Sequence, residues 1–158
     1  MFNEQQTKLV KKSFAFLVLK TNGEKMNDLE IANAIVKPFY EKLFLFDPNL
    51  AQYFNHLNDT SCIFAKYLKD IVESLGAADI IDPLVQLSKR HIIYAKEGQF
   101  SITLIHFDLI EKALITTLLN TLQERGYQSN IDLAEIKAAW HVVFEAISDT
   151  MKKVIFQQ

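Results

Sequence analysis

With one cysteine, three prolines and four glycines in 158 residues, this chain has few ways to punctuate itself. A lone Cys62 excludes an internal disulfide and a cysteine-cluster metal site, and it fits a reducing compartment. So little Gly and Pro argues against a sandwich or barrel built from many tight turns. Neither sign of charge dominates: 17 Lys and Arg against 19 Asp and Glu leave a net charge of −2. That balance gives no electrostatic footprint for nucleic acid. No apolar run approaches the length of a membrane span. The opening Met1-Phe2-Asn3-Glu4-Gln5-Gln6 lacks the basic start of a signal or transit peptide. Gly-rich phosphate loops, Gly-x-Ser-x-Gly nucleophile motifs, internal repeats and linker-like tracts are all missing. The expectation is one domain over residues 1–158, cytoplasmic, with no nucleic-acid or membrane partner.

What is present is apolar and helical. Hydrophobic residues make up 49% of the chain, and 12 of them are Phe. Asn3 is placed to cap a helix carrying Leu9, Val10, Phe14 and Leu17, ended near Asn22-Gly23. Asn27 or Asp28 starts a second through Ile31, Ile35, Phe39, Leu43 and Phe44. Pro38 lies inside that pattern and must kink or interrupt it, because proline has no N–H and crowds the preceding turn. Asp47-Pro48 opens a short turn through Leu50 and Phe54. A helix after Asn58-Asp59 turns Phe64, Leu68, Ile71, Val72 and Leu75 inward and stops at Gly76. Asp82-Pro83 launches the next, which closes near Gly98. A long helix runs from about Thr103 to Glu124 and ends at Gly126. Ser129 to Asp132 cap the last, whose stripe is Ile136, Trp140, Val143, Phe144 and Ile147. Short connections between these segments predict an all-α fold.

His91 is the residue that raises a question of chemistry. In the run Leu84 to Tyr94, the positions Leu84, Leu87, His91 and Tyr94 share one face of a helix. An imidazole among aliphatics is either a core residue satisfied by one hydrogen bond or a metal ligand held in a dry pocket. The residues alone leave both open. His56 reads as a solvated loop residue and His141 as a helix-edge residue. Lys11-Lys12, Lys89-Arg90 and Lys152-Lys153 read as solvated faces.

Four stretches in order resemble the globin family in its bacterial single-domain branch. They are Leu9 to Phe14; Phe39-Tyr40-Glu41-Lys42-Leu43-Phe44 with Phe46-Asp47-Pro48 and Leu50 through Tyr53-Phe54; Leu87-Ser88-Lys89-Arg90-His91; and Ala138-Ala139-Trp140 through Phe144 and Ile147-Ser148-Asp149. The resemblance spans nearly the whole chain. It implies a three-over-three helical sandwich around haem b, with His91 as the iron ligand. It also implies that Leu87 presses on the proximal face, that Phe54 packs flat on the porphyrin and that the Tyr40 phenol points at a bound gas. Aligning Leu68 on its family position puts Thr60 at the distal gate and Phe64 above the iron, with Ser61 and Ala65 as the competing pair. His106 and Leu109 complete the implied cofactor-binding set. One neutral imidazole leaves the opposite face of the iron open, which is what gas binding needs.

The chain also departs from that family. Thr60 and Ile63 stand where relatives often carry Gln and a basic residue. About five extra residues near Ala95 to Ser101 extend the proximal helix, lengthen the following corner or cover a haem edge. His106 occupies a place where many members carry Tyr. The position of a late acid on the last helix falls near Ile155, so the polarising arrangement of the flavohaemoglobin branch is not expected. The implied function is binding of O2, NO or CO for storage, sensing or NO detoxification, by a monomer or homodimer. With the chain ending at Gln158, NO dioxygenation is expected only with an external reductase. The alternative is a non-haem globin-fold regulatory or interaction module, which Phe64 and Phe107 would permit by filling the pocket.

Overall fold

Side-chain caps set the helix boundaries. The computed structural model describes residues 3–54, 57–128 and 132–157. Among these, regular structure is helical throughout, apart from an isolated bridge between Leu19 and Lys25. Helix α1 is Glu4–Leu17; Asn3 accepts from the Gln6 N–H at 2.8 Å and the Gln6 side chain returns the bond, closing a capping box. The same device, with Asn27 and Glu30, starts α2 at Asp28–Ile31. Lys20 pairs with Glu30 at 3.0 Å, and Lys69 from a later helix reaches Asp28 at 2.8 Å.

Pro38 neither ends the helix nor leaves a gap. Ahead of it, Ala32–Val36 widens into a π turn, and the Lys37 N–H donates to the Ala32 carbonyl five residues back. Helix α3, Lys37–Phe46, then carries the proline in its first turn, where no donor is missed. The expected interruption is therefore absorbed as a bulge. Asp47 accepts from the Asn49 N–H at 3.2 Å and opens a 3₁₀ turn, Pro48–Tyr53.

Helices α4 (Leu57–Glu73), α5 (Ile81–Lys96), α6 (Leu104–Glu124) and α7 (Leu133–Phe156) complete the chain. Gly76, Gly98 and Gly126 all have positive φ, so α4, α5 and α6 each give way to a left-handed turn. At Gly98 the following Gln99 N–H bonds back to the Tyr94 carbonyl at 2.9 Å. Helix α5 begins at Ile81 after a short 3₁₀ turn, Ala78–Ile80, so Pro83 sits within the first turn instead of opening it. Asp132 caps α7 by accepting from the Glu135 N–H at 3.0 Å; the neighbouring Ser129 lies outside the described residues.

The core lies where α1, α6 and α7 meet the α2–α3 segment. Trp140 donates its indole N–H to the Ser13 hydroxyl at 2.9 Å, and Ser13 donates in turn to the Leu9 carbonyl at 2.8 Å. Both polar groups are thus satisfied within a dry interface between α1 and α7. Ser61 and Ala65 of α4 are fully buried. No described helix is long and apolar enough to cross a membrane.

Candidate functional site

Helices α4, α5, α6 and α7 leave a cavity of about 70 Å³ between them. Its walls are Phe64, Tyr67, Leu68, Ile71 and Val72 from α4, Leu87 and His91 from α5, and Phe107, Ile110 and Leu114 from α6. Helix α7 adds Trp140, Val143, Phe144, Ile147, Ser148 and Met151, and Ile102 closes it from the α5–α6 connection. No charged residue is among them.

His91 is the one titratable base in that lining. Its Nδ1 is sealed from water and has no hydrogen-bond partner. Burial pushes the imidazole down to about 4, so at neutral pH it is uncharged and holds a free lone pair. Tyr94 meets its ring edge-on at 6.0 Å. The adjoining Ser88 hydroxyl is committed elsewhere, donating to the Leu84 carbonyl at 2.8 Å. The core reading of His91 requires a partner for the imidazole, and the sealed nitrogen lacks one.

Phe64 joins this cavity to an aromatic cluster. Its ring stacks on Phe39 at 5.2 Å and meets Tyr40 edge-on at 6.1 Å. Tyr40 also packs against Phe54 at 5.0 Å and Phe44 at 5.9 Å. Phe54 and Tyr53 both touch Phe100. Tyr40 is buried, its phenol is pushed up by desolvation and by the nearby Tyr94 phenol, and its hydroxyl makes no hydrogen bond to the described residues. The Tyr40 phenol of α3 and the Tyr94 phenol of α5 are thus close enough to act on each other, and Tyr94 in turn meets His91.

Of the residues named from sequence, Phe64, Leu87 and His91 line the cavity. Tyr40 and Phe54 stand one ring away, in the aromatic cluster. Thr60 is half-buried and outside the lining, and Leu109 yields its place to Ile110, the next residue round the helix. His106 works locally: its Nδ1 accepts from the Thr103 N–H at 2.9 Å and starts α6, while burial lowers its pKa against the pull of Asp47. His56 lies outside the described residues. The α7 wall was legible as a helix stripe, but nothing in sequence marked Ser148 or Met151 as facing a cavity.

Between α5 and α6 the chain forms the corner 97–103. Phe100 and Ile102 turn back into the core from it. His141 of α7 meets the Glu111 carboxylate of α6. Burial pushes Glu111 up, with His141 pulling it back.

The haem implied by the resemblance can be tested against these groups. Among the described residues, no three His, Cys, Asp or Glu side chains converge to chelate an ion. A lone neutral imidazole at a dry apolar wall instead suits a metal that arrives with its own equatorial ligands, as haem iron does. The donor chemistry fits. The space fits only after rearrangement, because pockets for cofactor-sized ligands run to roughly 300–1,000 Å³. Phe64, which bridges the cavity and the Tyr40 cluster, is the side chain whose withdrawal would join the two spaces. No protein-family model matches the chain, and no curated protein matches it.

Proposed function

We propose that this chain is a haem-binding globin, with a three-over-three helical sandwich closing on haem b and His91 as the protein's iron ligand. One observation carries the reading: a neutral imidazole with a sealed, unpartnered nitrogen on the wall of an apolar cavity. Leu87 and Ile110 would hold the porphyrin body, and Phe54 and Tyr40 would come into contact with it once Phe64 withdraws. Bound there, haem supplies an iron that takes up a diatomic gas (O2, NO or CO). The protein's own part is to exclude water, keep His91 unprotonated and offer the free Tyr40 hydroxyl as a hydrogen-bond donor. Storage, sensing and reductase-driven NO detoxification all draw on those properties.

Hemin titration followed by its Soret band tests this directly. The wild type should bind one equivalent, and His91→Ala should lose most of the band or shift it. Holo-protein should melt above apo-protein, since hemin binds the folded chain far better than the unfolded one. A wild type that stays colourless and refuses added hemin overturns the proposal. The small cavity then favours the second reading, a non-haem globin-fold regulatory module whose interior Phe64 and Phe107 fill.

A further inference from the structure

Between α1 and the end of α4 the surface is cut by a groove of about 470 Å³. Lys11, Phe14, Ala15 and Val18 form its α1 side. Their spacing is that of one helix face, about 10 Å long at the helical rise per residue. Phe14 and Val72 are buried and make the floor, while Ala15 and Leu19 are exposed. Past α1 the chain turns and pairs with itself: the Lys20 N–H donates to the Glu24 carbonyl at 2.8 Å, and the Met26 N–H to the Val18 carbonyl at 2.7 Å. The resulting bridge sets Lys25 opposite Leu19, and residues paired this way turn their side chains to one side. Both line the groove. A lysine therefore stands at each end of an apolar trough two helical turns long.

Nearby acids do not neutralise those lysines. Lys20 takes Glu24 and Glu30, and Lys69 takes Asp28. Neither Lys11 nor Lys25 has a carboxylate partner among the described residues. Glu73 shares the lining, and its charge acts on Lys69. Helix α1 adds the exposed Lys8 and Lys12 against one acid, Glu4. On a chain of net charge −2, this face is locally basic.

We propose that the groove docks an amphipathic helix of a partner protein, apolar on the face that enters and acidic on the flanks that meet Lys11 and Lys25. Apolar side chains three and four residues apart fill a trough of this length. Acids beside them complement the two lysines and fix the register of docking. A lipid surface is a poorer match, because it is met by apolar side chains that protrude and this floor is concave. Nothing in the inference depends on His91 or on a cofactor.

The probe is a fluorescein-labelled designed peptide of about 18 residues, long enough to hold a helix in water. It carries leucines spaced by three and four with glutamates beside them; a control peptide has glutamine for every glutamate. In fluorescence anisotropy with the full chain, the acidic peptide should bind about tenfold tighter than the control, the scale of two partly exposed ion pairs. Combining Lys11→Glu with Lys25→Glu should abolish that preference. Ala15→Glu places a charge in the trough at an exposed position that suits a helix former, and it should weaken both peptides. Thermal melts of each variant separate loss of fold from loss of the groove. His91→Ala should bind as the wild type does, so failure of the haem reading leaves this test unaffected. Equal binding of the two peptides, a preference that survives the double lysine variant, or no binding at millimolar concentration overturns the proposal. Cosedimentation with phosphatidylglycerol vesicles that the double variant loses, with neither peptide bound, overturns it in favour of a membrane surface.

Discussion

His91 should make the haem-free protein acid-sensitive by an amount the structure sets. Its imidazole titrates near 6.5 when the chain is unfolded and at about 4 when folded, because burial penalises the charged form. Folding thus excludes a proton that the unfolded chain binds. The contribution is absent above the unfolded value and destabilises progressively as pH falls from there toward 4. At 1.36 kcal/mol per pKa unit, the cost at pH 4.5 is at most about 2.5 kcal/mol. Part of the ring edge meets solvent even though Nδ1 does not, so about 1.5–2.5 kcal/mol is the working range. His91→Leu keeps an apolar side chain there and cannot titrate. Urea unfolding at pH 7 and pH 4.5 should show the wild type losing that much more stability than the variant. Comparing losses cancels any packing defect the leucine introduces. Equal losses in the two proteins would refute a buried, neutral His91, and with it the free lone pair on which the iron-ligand reading depends.

Other groups give independent checks. Glu111 is pushed up mainly by burial, so ionising it disfavours the fold as pH rises through its titration; Glu111→Gln should flatten that decline in thermal melts between pH 4 and 7. Trp140→Phe should cost about 2–3 kcal/mol in urea unfolding, from the lost indole volume and the lost bond to Ser13. Tyr40→Phe should leave apo stability within about 0.5 kcal/mol of wild type, because its hydroxyl has no protein hydrogen bond to lose and is not sealed from water. A destabilised Tyr40→Phe in the same unfolding assay would mean the phenol already has one.

How much of this was legible in sequence depended on how local the controlling interaction is. Asn3, Asn27, Asp47 and Asp132 each act on a backbone N–H two or three residues away, so their caps could be read directly. Pro38 was readable as a disturbance but not as its outcome. Whether a helix breaks or widens depends on the tertiary packing that holds both sides in line, here the burial of Ile35, Val36 and Phe39. Registration set Thr60 and Phe64 of α4 against Ser61 and Ala65 without deciding between them. The reason the latter two are small appears only in space, where both are fully buried while Phe64 turns to the cavity. The capping role of His106 was not legible, because the Thr103 N–H it accepts from is normally capped by shorter side chains. Phe100 and Ile102 had no periodicity to announce them, and a corner that folds back into the core leaves no helix or strand signature.

A cavity of about 70 Å³ sets an energetic cost for the haem proposed above. Phe64 gains its ring contacts with Phe39 and Tyr40 only in the closed arrangement, and aromatic pairs of this kind contribute about 0.5–1.5 kcal/mol each beyond area burial. Withdrawing it would forfeit two such pairs, so about 1–3 kcal/mol of the proposed ligand's binding energy would go into opening the interior. That cost lowers affinity by roughly five- to a hundredfold relative to a preformed pocket. Phe64→Leu forfeits the ring contacts in the closed state and so removes most of the penalty in advance. The variant should bind hemin several-fold tighter than the wild type while its apo form melts lower. Both shifts have one origin, which a combined hemin titration and apo melt can establish. Weaker hemin binding in Phe64→Leu would mean that Phe64 is a wall of the binding site and not its plug.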